Sequence, residues 1–472
     1  MENKFYITTP IYYVNDRPHI GHAYTTLVAD VLARWHRQKG ERVFFSTGTD
    51  EHGAKIVAAA EKAGILPQDF CNQKAQDFQK AWQLLGIKYD NFIRTTSRNH
   101  YLAVQKALEN LSKAGQIYQD EYQGLYCQSC EQYKNPDDLV DGKCPDHQVE
   151  PQLMKETSYF FRLSNWQSEL LEYFKNNKLV IEPAERKNEV INFVTQGLKD
   201  ISISRQNVKW GIKLPFDEKY TTYVWVDAFL NYLTVLGWSG EAGDKPDFFP
   251  PDIQLMSKDI LRVHATIWPA LLLALKLPLP KKIYVHGYFT IEGQKMSKSL
   301  GNVIWADEIV DKFGQDGARY LLLSSLSFGQ DSDISWAKLK EKYNADLANN
   351  LGNLINRIIK MSSGLNIKSE QLKTIREKKI TGWDNLLEEF RLKESLEKIW
   401  SKIDWANKRI EETKLWQVVK NNPEEAKKIL LELMSLLEEV SQALAVFMPA
   451  SAEKIKNILQ TGKTDILFPR IS

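Results

Sequence analysis

Four cysteines in 472 residues are too few for a disulfide-built secreted scaffold. No sign of charge dominates: 62 Lys and Arg stand against 60 Asp and Glu, a formal net charge of +2. That excludes a polycation holding nucleic acid by bulk charge. It leaves room for a local basic site, because net charge averages over faces. No apolar run reaches the ~18 residues of a membrane span. The closest, Trp268 to Pro280, is interrupted by Lys276 and by prolines. There is no internal repeat and no low-complexity tract. Met1-Glu2-Asn3-Lys4 leads straight into an apolar strand pattern, with no signal or transit segment. A reducing, cytoplasmic setting is therefore expected.

What is present is the composition of a globular chain: 43% hydrophobic, 26% charged and 11% aromatic. That excludes disordered and collagen-like structure. At roughly 150 residues per domain, the length suggests about three domains. Phe5 to Thr8 reads as a short strand, Pro10 to Asn15 as a loop, and His19 to Arg37 as a helix with Leu27, Val31, Leu32 and Trp35 on its apolar face. Val43 to Ser46 is a second strand, followed by a Gly-rich turn, Thr47 to Gly53. Phe92-Ile93-Arg94 is a third. Strands alternating with helices imply a parallel α/β sheet. Near residue 116 the pattern breaks, and to about 220 the chain is richer in Tyr, Asn, Asp and Lys. It then resumes, with strands expected at Tyr223 to Val226, Ile253 to Leu255 and Ile283 to Val285 and a helix from Ile260 to Leu275. One α/β domain is thus split by an insertion. From about 340 everything reads as helix. Leu347, Leu351, Leu354, Ile355 and Ile358 form an apolar stripe, with Asp346, Asn350, Asn353 and Arg357 in a polar stripe beside it. Asn422-Pro423-Glu424-Glu425 is a helix start, and Ile429 to Phe447 is apolar enough for a bundle interior.

Three constellations carry chemistry. His19-Ile20-Gly21-His22 opens the first helix, where unpaired N–H groups and partial positive charge suit a phosphate. Two histidines at i and i+3 share a face there. Gly21, without a side chain, would let a flat base approach. In isolation the motif fits a capped helix with two solvated histidines equally well. Lys295-Met296-Ser297-Lys298-Ser299 follows a strand and turn at Gly287 to Gly293; its lysines and hydroxyls could close on a polyphosphate or form an ordinary polar loop. Cys127-x2-Cys130 and Cys144-x2-His147 are separated by thirteen residues. Three thiolates and an imidazole in paired short-spaced turns suit tetrahedral zinc. Four protein ligands leave no open position, which makes the site structural. Cys71 stands apart as a buried core thiol.

His-Ile-Gly-His after the first strand and Lys-Met-Ser-Lys-Ser after the last, on a split α/β sheet, resemble the class I aminoacyl-tRNA synthetases. The wider segments resemble the bacterial methionyl-tRNA synthetase family of one-zinc-knuckle type. They include Thr9-Pro10-Ile11-Tyr12-Tyr13-Val14-Asn15, Thr47 to Gly53, Tyr223 to Ala228, Lys258 to Arg262 and His286-Gly287-Tyr288. The likeness runs from the N-terminus to Leu467-Phe468-Pro469-Arg470-Ile471. It implies a Rossmann-type parallel sheet split by a zinc-knuckle connective insertion, followed by an α-helical bundle that binds the anticodon. The expected boundaries are 1–115 and 221–290 for the two sheet halves and 116–220 for the insertion, with its knuckle at 127–147. The Lys-Met-Ser-Lys-Ser loop and stem-contact region spans 291–340 and the helical domain 341–472.

The resemblance also implies roles. Ile11, Tyr13, Trp225, Ala228, Tyr232, Ile260 and His264 would wall a methionine pocket, and aromatic rings suit a polarizable thioether. Asp50 would hold the substrate ammonium, oriented by Arg205. Gly21, Asp259, His286, Gly287, Tyr288, Lys295, Ser297 and Lys298 would bind ATP, taken with Mg2+. His19, His22, Lys295 and Lys298 would be catalytic. Cys127, Cys130, Cys144 and His147 would hold one structural zinc. Asn353 and Arg357 would read the anticodon, with Trp416 stacking on a base. The partners implied are methionine, ATP and tRNA(Met), initiator and elongator, with no membrane; a monomer is expected.

Ser257 stands where the family usually has Gly, Val263 where Phe is common, Leu415 where Pro precedes the stacking Trp, and Arg409 where Tyr is usual. The rival readings are another class I synthetase for a small or apolar amino acid, a non-catalytic RNA-binding zinc protein of the same fold, and a simple nucleotidyltransferase sharing His-x-Gly-His. The insertion of about a hundred residues is too small for the editing domain of the isoleucine, valine and leucine enzymes.

Overall fold

The computed structural model describes residues 3–472 except 130–131, 135, 137–138, 146–147, 297–299, 366, 368–381 and 464–465; for 122, 123, 132, 133, 155 and 156 only the backbone is described. The chain forms two compact units. One comprises Met1–Arg17, Gly40–Gln79 and Tyr89–Val285, the other Pro18–Lys39, Lys80–Lys88 and His286–Ser472.

The first unit is built on a six-stranded sheet. Strands β1 (Lys4–Tyr13), β2 (Arg42–Asp50) and β3 (Asn91–Arg94) form one side. From one edge the order is β3, β2, β1, Ile253–Ser257, Lys282–His286 and Val180–Glu182. β1 pairs in parallel with β2 and with Ile253–Ser257, β2 with β3, and Lys282–His286 with Val180–Glu182. Val180–Glu182 was not expected to be a strand. It lies in the segment where the alternation stops, and its three residues are too few to show a period.

Two strands run further than expected. β1 continues through the predicted loop to Tyr13, and β2 through the predicted turn to Asp50. Their register runs from Lys4↔Arg42 to Thr8↔Ser46, shifts, and resumes from Ile11↔Gly48 to Tyr13↔Asp50. The shift sets Thr9 and Pro10 against Thr47 alone, a bulge, and there proline's missing N–H costs no ladder bond.

A third expectation fails outright: Tyr223 to Val226 is not a strand but the start of a helix, Val224–Phe229. Val224, Val226, Asp227, Ala228 and Phe229 are all buried. With five of its six residues buried and Trp225 only half-exposed, so short a helix shows no amphipathic period, and its β-branched and aromatic residues read as strand.

An antiparallel sheet also forms between Ile117 and Ser202, in the order Gln132–Lys134, Ile117–Cys127, Gln152–Phe161, Ile201–Ser202. Ile117–Cys127 and Gln152–Phe161 pair continuously from Ile117↔Phe161 to Tyr126↔Gln152.

The second unit opens with helix α1 (Ile20–Gln38), whose Leu27, Val31, Leu32 and Trp35 are buried as expected. Helix Ala306–Ser325 bends at Gly314, a residue of positive φ. From 336 to 461 the described residues are helical except for short turns; beyond Thr461 the described residues form no helix, so the expected helical reading stops there. The expected apolar stripe, Leu347 to Ile358, is buried. Tyr343–Gly352 is wound as a π-helix, which slows the angular advance per residue and shifts the polar stripe from its ideal spacing. Asn422 caps Pro423–Leu444 by accepting from the Glu425 N–H at 3.3 Å. Ile429, Leu430, Leu433, Leu437, Val440, Leu444 and Phe447 are buried, as a bundle interior requires. Among the described residues, no helix is long and apolar enough to cross a membrane.

Candidate active site

In the first unit, β1 and β2 end together, with Tyr13 paired to Asp50 and Ile11 to Gly48. The carboxyl ends of parallel strands are where α/β sheets bind ligands. A Cβ on Gly48 would lie 2.1 Å from the Ile93 carbonyl oxygen, so the close approach of β2 to β3 requires glycine there. Ile11, Tyr13 and Asp50 are half-buried.

The sequence-predicted aromatics converge. Trp225 and His264 have ring centroids 6.0 Å apart in an edge-on arrangement, and Tyr232 and His264 lie 6.1 Å apart. Ala228 is buried, and Trp225 and Ile260 are half-buried. Phe229 belongs to the same cluster, 4.9 Å from His264 and 5.9 Å from Trp268, and Trp268 is 5.5 Å from Tyr232. Sequence reasoning missed both. The spacing 225, 228, 229, 232 is helical, and reading the segment as strand hid it.

Burial of His264 pushes its pKa down to about 4. The neutral ring donates from Nδ1 to the Ile260 carbonyl at 2.9 Å, so Nε2 accepts from the Tyr232 hydroxyl at 2.9 Å. The Tyr232 carbonyl in turn accepts from Tyr6 at 2.9 Å. The unfolded ring titrates near 6.5 and the folded ring near 4. Between these values the unfolded state binds more protons, so His264 stabilises the fold above about pH 6.5 and loses that contribution as pH falls toward 4. The full swing is on the order of 3 kcal/mol. Thermal melting should show a shallower pH slope over this window in His264→Gln than in the parent; equal slopes would refute it.

Arg205 is buried, and its Nη1 donates to the carbonyls of Ser202 and Ser204 and to Ser202 Oγ. Its guanidinium stacks 4.3 Å from the Tyr223 ring centroid. These bonds fix the side chain predicted to orient Asp50. Beside Asp50, Glu51 is fully buried and bonded by Arg94 Nε at 2.7 Å and Nη2 at 3.0 Å. Cys71 donates to the Glu51 carbonyl at 3.4 Å. Burial pushes its thiol up to about 12, so it is a core thiol as expected and not a nucleophile. Asp259 is exposed and accepts from Ser257 Oγ, a bond that the usual glycine at 257 would not make.

In the second unit, His19 is the N-cap of α1. Its Nδ1 accepts from the Gly21 N–H at 3.0 Å, and His22 Nδ1 accepts from the His19 N–H at 3.2 Å. The Ile20 N–H donates to the Ile304 carbonyl at 3.0 Å. The backbone donors expected to await a phosphate are therefore already used. The motif instead presents two imidazoles stacked with centroids 3.8 Å apart. A ring whose Nδ1 accepts is neutral and carries its proton on Nε2. A Cβ on Gly21 would sit 2.8 Å from His19 Cε1, so glycine is what lets His19 fold back onto the cap.

His286 ends its strand with Nδ1 2.8 Å from the Gly287 carbonyl and Nε2 2.7 Å from Thr25 Oγ1. Lys295 lies with Nζ 4.9 Å from the Tyr288 ring centroid, in a hairpin turned by Glu292 and Gly293, both of positive φ. Ser297 and Lys298 lie outside the described residues.

Cys127 and Cys144 are buried. Cys144 follows a turn with Asp141 and Gly142 at positive φ, and its N–H donates to the Val149 carbonyl at 2.8 Å. Two buried thiols on polar, turn-bearing segments fit half of a sulfur-rich tetrahedral set. Cys130 and His147 lie outside the described residues.

In the helical region Asn353 is exposed. Arg357 pairs with Glu411 at 2.6 Å. Asn350 donates to Asp404 and accepts from Asn407, each at 2.7 Å, while Asp346 accepts from Tyr320 at 2.7 Å. Much of the polar stripe is thus engaged with neighbouring helices. Trp416 is 41% exposed, and Leu415 beside it is fully buried.

A family model described as tRNA synthetases class I (M) matches residues 5–152 and 136–359. A methionine–tRNA ligase of Caldanaerobacter subterraneus is 42% identical over 506 residues, covering 100% of this chain and 79% of its own length. The chain belongs to the class I methionyl-tRNA synthetase family. A Rickettsia bellii methionine–tRNA ligase is 40% identical over 100% of this chain and 96% of its own length. The Mycobacterium tuberculosis methionyl-tRNA synthetase in complex with methionyl-adenylate superposes with a TM-score of 0.91, at 32% identity, covering 99% of this chain and 100% of that one. The expected fold, a parallel α/β sheet followed by a helical region, is that of this synthetase.

Proposed function

We infer that this chain is a methionine–tRNA ligase. It activates methionine with ATP to methionyl-adenylate and pyrophosphate, then transfers methionyl to the 3′-terminal ribose of tRNA(Met), initiator or elongator. The observation that carries this reading is the superposition over the whole chain on a synthetase holding methionyl-adenylate. The aromatic cluster of Trp225, Tyr232 and His264 supports it.

Ile11, Tyr13, Trp225, Ala228, Tyr232, Ile260 and His264 receive the thioether. Asp50 takes the ammonium, oriented by Arg205, whose side chain is held by its bonds to Ser202 and Ser204. Methionine's carboxylate attacks the ATP α-phosphorus, a phosphorus–oxygen bond forms, and pyrophosphate leaves. That carboxylate is already ionised at neutral pH, so the demand is for positioning and charge stabilisation rather than for a base. His19, His22, Lys295 and Lys298 supply it. Gly21, Asp259, His286, Gly287, Tyr288 and Ser297 seat the nucleotide, which enters as its Mg2+ complex. The ribose hydroxyl then displaces AMP from the mixed anhydride.

Cys127, Cys130, Cys144 and His147 would hold one zinc, which would staple the two turns of a knuckle at 127–147. The segments 1–115, 116–220, 221–290, 291–340 and 341–472 serve as first sheet half, insertion, second sheet half, Lys-Met-Ser-Lys-Ser region and anticodon-binding domain. The working state is a cytoplasmic monomer.

The deciding experiment is ATP–pyrophosphate exchange with each of the twenty amino acids, followed by charging of tRNA(Met). Exchange that depends on another amino acid, or no exchange with intact tRNA binding, would overturn the reading. Asn353, Arg357 and Trp416 read the anticodon. Trp416→Ala should weaken tRNA charging by roughly 10-fold, since base stacking is worth ~1–3 kcal/mol, and leave methionine-dependent exchange intact. Equal loss in both assays would assign the indole to folding instead.

A further inference from the structure

Within the first unit one buried carboxylate has no part in the mechanism above. Asp227 lies on the Val224–Phe229 helix with its side chain 1% exposed. Its Oδ2 is 2.6 Å from His52 Nδ1 and its Oδ1 is 2.8 Å from His100 Nε2. His100 Nδ1 is 2.7 Å from Thr234 Oγ1. Burial alone pushes the Asp227 carboxyl up, but the two imidazoles more than offset this and hold it below its usual range. Both imidazoles therefore donate to a carboxylate, and its charge is kept inside the protein.

The place of this network in the chain gives it meaning. Asp227 sits between Trp225 and Ala228, two walls of the thioether pocket. His52 sits two residues after Asp50, the ammonium-binding carboxylate. The same bond thus spans the apolar half and the ionic half of one amino-acid site. His100 braces the opposite oxygen from the helix Arg98–Lys113. Resting on the methionine-activation reading, we propose that Asp227 is a positioning residue that sets, through His52, the spacing between the ammonium site and the thioether pocket.

Methionine carries both groups on one short carbon chain, so it binds both halves of the site well only when their spacing suits that length, whereas ATP is bound by other residues. The expected effect is therefore selective. An Asn at 227 presents one acceptor and one donor, so it can satisfy only one of two imidazoles that both donate.

The test is steady-state ATP–pyrophosphate exchange with Asp227→Asn, His52→Gln and His100→Gln, alongside melting temperatures. The parent's own methionine-dependent exchange checks the underlying reading separately; its absence sinks that reading before the variants are compared. Given an active parent, Asp227→Asn and His52→Gln should raise the methionine KM about 10-fold or more and leave the ATP KM within about twofold. The preference for methionine over homocysteine should fall with them. His100→Gln should lower the melting temperature with a smaller rise in methionine KM. A methionine KM within twofold of the parent in both Asp227→Asn and His52→Gln overturns the proposal. So does a parallel rise in both KM values, which would mark the network as structural. If Asp227→Asn does not fold, His52→Gln alone decides.

Discussion

Arg319→Met should cost roughly 3–5 kcal/mol of stability, the size expected when a buried ion pair loses one partner. Arg319 is fully buried, with Nη2 2.7 Å from Asp30 Oδ2. Its remaining donors reach the carbonyls of Phe447 at 2.6 Å, Leu85 at 3.0 Å and Val446 at 3.2 Å. Asp30 is also bound by Arg34 Nε at 2.7 Å and by the Lys88 N–H at 2.9 Å. Methionine matches much of the arginine's volume, so the loss comes from unpaired polar groups rather than from a cavity. Three carbonyls lose their donor and a buried carboxylate keeps only half its cationic company. A fall in melting temperature on the order of 10 °C is expected. Asp30→Asn in the Arg319→Met background should cost less than it does alone, because the two residues share one interaction. A shift below about 2 °C, or strict additivity of the two changes, would show that the pair contributes little.

Asp30 also shows where sequence reading stops. It stands in Leu27-Val28-Ala29-Asp30-Val31-Leu32, a lone acid inside an apolar helix, and that is a signal, but nothing nearby names its partner. Arg319 comes almost three hundred residues later. The same holds for His52 and Asp227, 175 residues apart, and for His100 and Asp227, 127 apart. Such pairs are set by the tertiary fold, and one sequence without an alignment does not encode them locally. What was legible is local: the Asn422-Pro423 start, the period of α1 and the apolar stripe from Leu347 to Ile358.

Misreadings arose where burial erases period. All but Trp225 of the Val224–Phe229 helix is buried, and β1 runs through Pro10 because a bulge absorbs the missing N–H. The first of these concealed Phe229 as a neighbour of His264. The His-Ile-Gly-His motif was legible as a helix start but not in its hydrogen bonding. Its helix end was expected to offer backbone N–H groups, and its own side chains and the Ile304 carbonyl have taken them.

That last correction sharpens the largest kinetic effect expected. With Nδ1 of His19 and of His22 each accepting a backbone N–H, the cap fixes which nitrogen of each neutral ring bears the proton, and Nε2–H becomes the donor of both. A donor held in place before reaction costs no reorganisation when charge builds on the phosphate oxygens. His22→Ala removes one such donor and the stacking partner of the other ring, 3.8 Å away. It also removes the acceptor for the His19 N–H, but losing one cap bond costs only about 1 kcal/mol and leaves the protein folded. Methionine-dependent pyrophosphate exchange should therefore fall by at least ~10²-fold in kcat, the loss typical of one oxyanion donor, while the melting temperature moves by only a few degrees. Methionine KM should change little, because the proposed thioether and ammonium contacts lie on other residues. A rate within about threefold of the parent would mean that the two imidazoles serve only to cap α1, and the charge on the phosphate would then have to be met by Lys295 and Lys298.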